Sequence, residues 1–232
     1  MEQCVAGRVH PRQLAFALPH AESLTRDNFL EGPANEAGLS LISAWPEWPS
    51  RTMLLTGPEG SGKSHLAAIW AERAGARAIA GHAITQAGVP TALATGALVI
   101  EDLREGGCEE AALFHLLNLA REEGAFLLIT TRTPPSGWSA RLPDLASRLR
   151  ALPTVALAPP DDALLRAVLV KLFADRQLAI DEGLVGFVAA RIERSFAAAG
   201  AIVDALDREA LRQRREVNRT LAAELLRERG SE

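Results

Sequence analysis

The sequence predicts an α/β fold in which a parallel five-stranded sheet, flanked by helices, is followed by a small all-helical domain. Short apolar runs that are typical of buried strands alternate with helical periodicities up to residue 158. A glycine-rich loop separates the first of these runs from the helix that follows it. After Pro159-Pro160 no segment has the pattern of a strand, and only helical patterns remain.

The apolar runs define the expected strands. Each is short and rich in aliphatic side chains, and together they cover residues 52–56, 77–80, 97–100, 126–129 and 155–157. Because helices separate them, we expect parallel pairing with right-handed crossovers. Functional side chains should then lie at the carboxyl ends of the strands.

Helical spacing predicts three helices in the α/β part, over residues 35–45, 63–74 and 109–123. Four more are predicted in the C-terminal part, over residues 161–175, 181–191, 195–212 and 218–229, with Asp161, Asp181, Ser195 and Asn218 as N-caps. The chain is therefore expected to divide into a flexible leader of residues 1–24, an α/β domain of residues 25–158 and a helical lid of residues 159–232.

The composition excludes several classes of protein. With 48% hydrophobic residues the chain can bury a substantial core. Its formal net charge of −4 argues against a generally basic surface of the kind that binds the phosphates of duplex DNA. Cys4 and Cys108 are the only cysteines, and the five histidines are scattered, so neither a disulfide framework nor a metal cluster is predicted. Without a signal peptide or an apolar run of about 20 residues, we expect a cytoplasmic protein.

The strongest motif is the loop Gly57-Pro58-Glu59-Gly60-Ser61-Gly62-Lys63-Ser64, which fits the P-loop pattern G-x-x-x-x-G-K-[ST]. In such a loop the backbone N–H groups surround the phosphates of a nucleotide, and the following helix adds its positive N-terminal end. Lys63 is expected to reach the β- and γ-phosphates, and the Ser64 hydroxyl to ligate Mg²⁺. Lysine occurs only at Lys63 and Lys171, which makes a chance match rarer. The sequence therefore predicts that ATP or ADP binds here with Mg²⁺.

Other polar residues follow the predicted strands. Glu101 and Asp102 come directly after the third run, where one carboxylate would hold Mg²⁺ and the other would polarise the attacking water. Thr130 or Thr131, after the fourth run, is a candidate to orient that water. Arginines such as Arg148 and Arg194 could stabilise the charge that develops in phosphoryl transfer, but spacing alone does not select them.

Taken in order, these motifs resemble the DnaA family of AAA+ proteins over about residues 25–229. Residues 27–35 resemble the family's NF-x-x-G-x-x-N segment, which lies against adenine and assigns Asn28 to the nucleotide. Residues 57–65 match its P-loop and add His65, residues 129–135 resemble its sensor-1 strand, and residues 142–149 resemble the segment that carries its arginine finger. The resemblance thus implies that Arg148 is a finger acting on a neighbouring subunit's ATP, and that Arg194 is the sensor-2 arginine of the lid.

Within that family, two features resemble the shortened Hda branch. The chain ends after the lid helices, so no dedicated DNA-binding domain is expected. In the leader, Gln13, Leu14, Phe16 and Leu18 resemble the peptide that docks on the DNA polymerase III sliding clamp, the β subunit. One departure is Glu101, which stands where the family usually has Asp; its longer stem is expected to shift the placement of Mg²⁺.

The resemblance implies a regulator of replication initiation that binds the clamp, holds a nucleotide and presents Arg148 to ATP bound on the initiator DnaA. Two alternatives stay open at this point: an initiator-like or helicase-loader ATPase that acts directly on DNA, and a non-catalytic clamp-binding adaptor. The sequence leaves open whether the chain forms a homo-oligomer. It also does not decide whether the chain hydrolyses ATP by itself.

Overall fold

The computed structural model describes residues 24–229. Its sheet has five strands: β1 (Thr52–Thr56), β2 (Arg77–Ala80), β3 (Ala97–Leu103), β4 (Phe126–Thr131) and β5 (Thr154–Ala156). They lie in the order β2-β3-β4-β1-β5, and every neighbouring pair is parallel. The predicted fold class, a parallel five-stranded sheet flanked by helices and followed by a helical lid, is confirmed.

Helices cover both faces of the sheet. They are α1 (Glu36–Ser43), α2 (Lys63–Ala74), α3 (Val89–Ala92), α4 (Glu110–Glu123) and α5 (Pro143–Arg150). Leu54, Leu98 and Ile129 pack on one face with α3, α4 and α5. The residues that alternate with them along the strands, such as Leu55 and Val99, pack on the other face with α1 and α2. This alternation follows from the two-residue period of a strand buried on both faces.

The C-terminal helices have a hydrophobic cluster of their own. They are α6 (Asp162–Asp175), α7 (Glu182–Ala189), α8 (Phe196–Gln213) and α9 (Arg219–Arg229). Leu165, Phe173, Leu206 and Leu221 are fully buried within it. The side chains of the four predicted N-caps each accept a hydrogen bond from the backbone N–H three residues on.

Several elements differ from the expectation. Helix α3 was not predicted, and β4 extends to Thr131 instead of ending at residue 129. The strand predicted to end at residue 100 continues as β3 to Leu103, so that Glu101 and Asp102 belong to it. Helix α5, which carries Arg148, had not been predicted because only Leu145 and Leu149 of its eight residues are buried. With eight residues and two buried leucines, the segment is too short to be recognised as a helix by its periodicity alone.

Candidate functional site

The glycine-rich loop joins β1 to α2 at the carboxyl edge of the sheet. Gly60 and Gly62 have left-handed backbone angles, φ +70° and +94°, which glycine adopts at little cost. Helix α2 begins immediately after Gly62, at Lys63. The unsatisfied N–H groups of its first turn and its dipole therefore lie next to the loop, an arrangement that favours a bound anion.

Lys63 is folded against this loop. Its Nζ donates to the carbonyl oxygens of Gly57 at 2.8 Å and Pro58 at 2.6 Å. Burial lowers the pKa of Lys63, opposed by the nearby carboxylate of Asp102. A cation held in a half-desolvated loop interacts more strongly with an anion than a cation in water does.

Two threonines at the same edge have buried hydroxyls without partners. Thr56 ends β1, Thr131 ends β4, and the two residues are neighbours in the register of the sheet. Among the described residues, neither Oγ1 has a hydrogen-bond partner. Thr130 differs, because its Oγ1 accepts a hydrogen bond from the backbone N–H of Asp102 at 2.9 Å. A buried hydroxyl without a partner is costly, so this edge suits a polar ligand.

Asp102 is held by Arg104 and Arg132, which no motif in the sequence marks as site residues. Its backbone is left-handed, with φ +49°, and its carboxylate accepts hydrogen bonds from Arg104 and from Nε of Arg132 at 3.2 Å. Arg132 also pairs with Glu59 of the loop. The hydrogen bond from Arg104 is the main cause that lowers the pKa of Asp102. This network connects the end of β3 to the P-loop.

Glu101 has the opposite environment. It follows Ala97 and Val99 on the face of β3 that packs with α2. Burial, and then the charge of Asp102, raise the pKa of Glu101. Neighbouring carboxyl groups with divergent pKa values are a common feature of sites that move protons. Carboxyl and hydroxyl oxygens, such as those of Glu101, Asp102 and the exposed Ser64, are the kind of donor that Mg²⁺ prefers.

A cavity of about 610 Å³ opens above the loop. Ligand pockets of small molecules commonly have this size. One wall comes from the segment before α1, the floor from the P-loop and α2, and the opposite wall from α6 and α8; the lining residues are Leu24, Asn28, Phe29, Leu30, Gly60, Gly62, Lys63, Ser64, His65, Val168, Lys171, Leu172, Asp175, Arg176, Phe196 and Ala197. Predicted residues Asn28, Lys63, Ser64 and His65 therefore meet in one cavity.

His65 fixes the first wall. Its Nε2 lies 2.8 Å from the carbonyl oxygen of Thr25, and its ring meets that of Phe29 edge to face at 5.2 Å. Both contacts hold residues 25–29 against the start of α2. Phe29 thus becomes an apolar wall beside the loop.

The structure does not bring Arg194 to the cavity. Its side chain is 63% exposed and pairs with Asp162 at 2.9 Å. The backbone N–H of Phe196 donates to the carbonyl oxygen of Gly60 at 2.8 Å, which places Phe196 and Ala197 over the loop and leaves Arg194 beside the start of α6. The cations that the described part of the lid contributes to the cavity are Lys171 and Arg176, which no motif in the sequence marks.

Arg148 also lies outside the residues that line this cavity. Its guanidinium donates to Oδ1 of Asn118 and lies 5.1 Å from the centre of the Phe114 ring. Both partners belong to α4, so the half-buried side chain is held on the outer surface of α4 and α5. The leader residues Gln13, Leu14, Phe16 and Leu18 lie outside the described residues.

No protein-family profile matches the sequence, and no curated protein does. Solved structures do match. Domain III of the replication initiation protein DnaA from Thermotoga maritima superposes with a TM-score of 0.70 at 20% identity, covering 88% of this chain and 96% of that one. The chain therefore shares the fold of this domain.

Two further structures share this fold at lower coverage of their own chains. A replication initiator DnaA bound to AMPPCP and single-stranded DNA gives a TM-score of 0.64 at 16% identity, with 82% of this chain and 68% of that chain covered. The RuvB Holliday junction branch migration motor of Thermotoga maritima gives 0.69 at 18% identity, with 87% and 70% covered. In addition, no described helix is long and apolar enough to cross a bilayer.

Proposed function

We propose that this chain binds an adenine nucleotide, ADP or ATP, in the cavity above its P-loop. The observation that carries the proposal is that one cavity joins the loop, the buried Lys63, the start of α2 and a lid wall. The phosphates would lie on the backbone N–H groups and on Lys63, and the base would lie against Phe29 with Asn28 beside it. Ser64, Glu101 and Asp102 would hold Mg²⁺, which neutralises phosphate charge when it is bound.

The nucleotide-bound chain would act as a regulator of replication initiation. We assign its docking on the DNA polymerase III sliding clamp to Gln13, Leu14, Phe16 and Leu18. Arg148 would reach ATP bound on a DnaA molecule and stabilise the charge that develops during hydrolysis. Support comes from the fold shared with DnaA domain III and from the position of Arg148 away from its own cavity.

The same geometry predicts that the chain by itself hydrolyses ATP only slowly. The carboxylate of Asp102 is engaged by Arg104 and Arg132, so a metal ion would compete with two cations for it. The pKa of Glu101 is raised, so its ionised form, the one that binds a metal ion, is less favoured than that of an ordinary glutamate. We therefore assign to this chain mainly the stimulation of a partner's ATPase.

A second candidate is an ATPase of the initiator or helicase-loader type that acts directly on DNA. It is favoured by the fold shared with a DnaA solved with single-stranded DNA and with the RuvB motor. The net charge of −4 argues against broad phosphate contact. Single-strand and duplex binding that falls steeply with rising salt would favour this second candidate.

The nucleotide proposal is tested by titration calorimetry with ADP and ATP, with and without Mg²⁺. Lys63→Ala should weaken binding about 10- to 100-fold, because it removes charge-assisted hydrogen bonds to phosphate. Arg77→Ala, which deletes an exposed cation on β2 outside the cavity, should bind like the intact chain. If the intact chain takes up neither nucleotide, the proposal fails.

The regulatory proposal is tested by the hydrolysis of DnaA-bound ATP in the presence of DNA-loaded clamp. A chain with alanine at Gln13, Leu14 and Phe16 should lose clamp binding and most of the stimulation while still binding ADP. Undiminished stimulation by this variant would contradict the docking role. Clamp binding by the intact chain without any stimulation would instead identify the non-catalytic adaptor.

A further inference from the structure

The two lysines of the whole chain both line the cavity. Lys63 lies on the P-loop, whereas Lys171 lies on α6 of the lid. Nζ of Lys171 donates to Oδ2 of Asp175 at 2.6 Å, one helical turn further along, and both side chains of this ion pair face the cavity. Neither Lys171 nor Asp175 has a role in the function proposed above.

The position of the pair along the cavity follows from three contacts. Helix α8 starts on the P-loop, where Phe196 N–H bonds to the carbonyl oxygen of Gly60. Helix α6 runs in the same direction as α8, because Asp162 pairs with Arg194 near the two starts and Arg176 pairs with Asp204 further along. At 1.5 Å per residue, residue 204 lies about 12 Å beyond residue 196. Lys171 and Asp175 precede Arg176 on α6, so the pair lies within about 12 Å beyond the phosphate loop, where the sugar of a bound nucleotide would lie.

The chemistry of the pair favours a sugar over a phosphate or a base. Lys171 and Asp175 neutralise each other, so together they offer little attraction to a phosphate. The ammonium keeps two further N–H donors, and the carboxylate keeps unused acceptor sites. Val168 and Leu172 are the apolar neighbours on the same wall. A vicinal diol, in which each hydroxyl both donates and accepts, matches this combination of donor and acceptor.

The pair also has a rigid support. The side chain of Arg176 is only 4% exposed, and it donates to Asp204 of α8 and to the carbonyl oxygen of Leu172 at 3.1 Å. These bonds fix the end of α6 on α8. A hydrogen-bonding pair on a fixed helix loses less entropy on binding than one on a loop.

We propose that Lys171 and Asp175 bind the 2′- and 3′-hydroxyl groups of the ribose and make the cavity selective for ribonucleotides over deoxyribonucleotides. This inference rests on the proposed binding of an adenine nucleotide and names its sugar-recognition element. Asp175 accepts a hydrogen bond from a hydroxyl, and Lys171 donates to the neighbouring hydroxyl oxygen while it keeps Asp175 in place. Removing one hydroxyl removes one of these hydrogen bonds to a charged group, whereas the ion pair itself remains.

The experiment compares the affinities of the full chain for ADP, 2′-deoxy-ADP and 3′-deoxy-ADP by titration calorimetry. The intact chain should bind ADP about 10-fold more tightly than it binds whichever deoxy nucleotide has the lower affinity. A factor of this size is expected when a hydrogen bond to a charged group is lost. Asp175→Ala should reduce that ratio to about 1, with Lys171→Ala acting in the same direction. Asp207→Ala on α8 is the matched control: it removes an aspartate that does not line the cavity and should keep the preference.

The outcomes separate this inference from the proposed function. Equal affinity of the intact chain for all three nucleotides would overturn the inference and leave adenine-nucleotide binding intact. A preference for ADP that survives in Asp175→Ala would also overturn it. If no adenine nucleotide binds at all, the proposed function and the inference both fail. The comparison within the intact chain requires no variant to fold.

Discussion

At the scale of single residues, Glu101 and Asp102 show how neighbouring positions acquire opposite properties. Asp102 turns into a left-handed conformation, towards Arg104 and Arg132, and its pKa falls. Glu101 remains paired with Ala80 of β2, on the face of β3 that packs with α2, and its pKa rises. The two adjacent acids in the sequence do not by themselves predict these opposite pKa shifts. The shifts depend on the conformation of Asp102 and on arginines that lie 2 and 30 residues away in the sequence.

The raised pKa of Glu101 predicts a pH-dependent stability. The folded state binds this proton more tightly than the unfolded chain does, so the stability that the group contributes is present at low pH and is lost as pH rises through the raised pKa. Glu101→Gln removes the ionised form and should therefore raise the melting temperature at pH 7.5. The gain should shrink towards pH 4.5, the ordinary pKa of glutamate.

The measurement is thermal unfolding by circular dichroism at both pH values, without nucleotide or Mg²⁺. Glu122→Gln, on the exposed side of α4, is the control and should change the melting temperature little at either pH. A Glu101→Gln variant that melts below the intact chain at pH 7.5 would show that the carboxylate stabilises the fold.

At the scale of secondary-structure elements, the contact between α8 and the P-loop connects the lid to the sheet. Ser195 caps α8 with its side chain and is buried against Gly60. A Cβ on Gly60 would lie 2.6 Å from Cβ of Ser195 and 3.1 Å from the backbone N of Ala197. Gly60 therefore serves the conformation of the loop and also leaves room for the first turn of the lid helix.

Gly60→Ala should consequently damage the molecule more than an alanine at another left-handed glycine. Gly96 is the matched control, because its φ of +72° is nearly that of Gly60 at +70°, and a Cβ there meets nothing within 4 Å. Both variants carry the left-handed penalty of about 1 kcal/mol. Gly60→Ala should lose a further 1–3 kcal/mol or so of unfolding free energy through the clash with Ser195. It should also bind ADP more weakly.

Urea unfolding and ADP titration of the two variants provide the comparison. Since the left-handed penalty is common to both, the difference between the two unfolding free energies isolates the contact between loop and lid. Equal losses in Gly60→Ala and Gly96→Ala would mean that α8 moves away from the loop at no cost.

The elements themselves were largely predictable from the sequence. Strand β1 and helix α2 match their predicted bounds, because an apolar run, a glycine loop and a helical periodicity follow each other without ambiguity. The P-loop side of the site was predictable for the same reason. The lid side was not: Arg194 precedes the N-cap of α8 by one residue, and only the bond from Phe196 to Gly60 decides which residues face the cavity. Long-range contacts of this kind leave no local pattern in a sequence.

At the scale of the whole molecule, the cavity and Arg148 are two separate functional candidates on one chain. The cavity joins the P-loop to the lid, whereas Arg148 is held by Asn118 and Phe114 on the surface of α4 and α5. An arginine that acted on the chain's own nucleotide would have to lie at that cavity. The proposed finger would therefore act on a nucleotide held by another molecule, and a nucleotide bound by the chain itself would stabilise the fold that presents it.

Arg148→Ala should therefore separate binding from stimulation. The variant should bind ADP and the clamp like the intact chain but lose the stimulation of DnaA-bound ATP hydrolysis, which for arginine fingers reaches a factor of about 10³–10⁵. Arg150→Ala is the matched control, because Arg150 is an exposed arginine two residues further along α5. It should stimulate normally. Hydrolysis that is lost equally in both variants would point to general damage of α5, and hydrolysis that is retained in Arg148→Ala would remove the finger from this position.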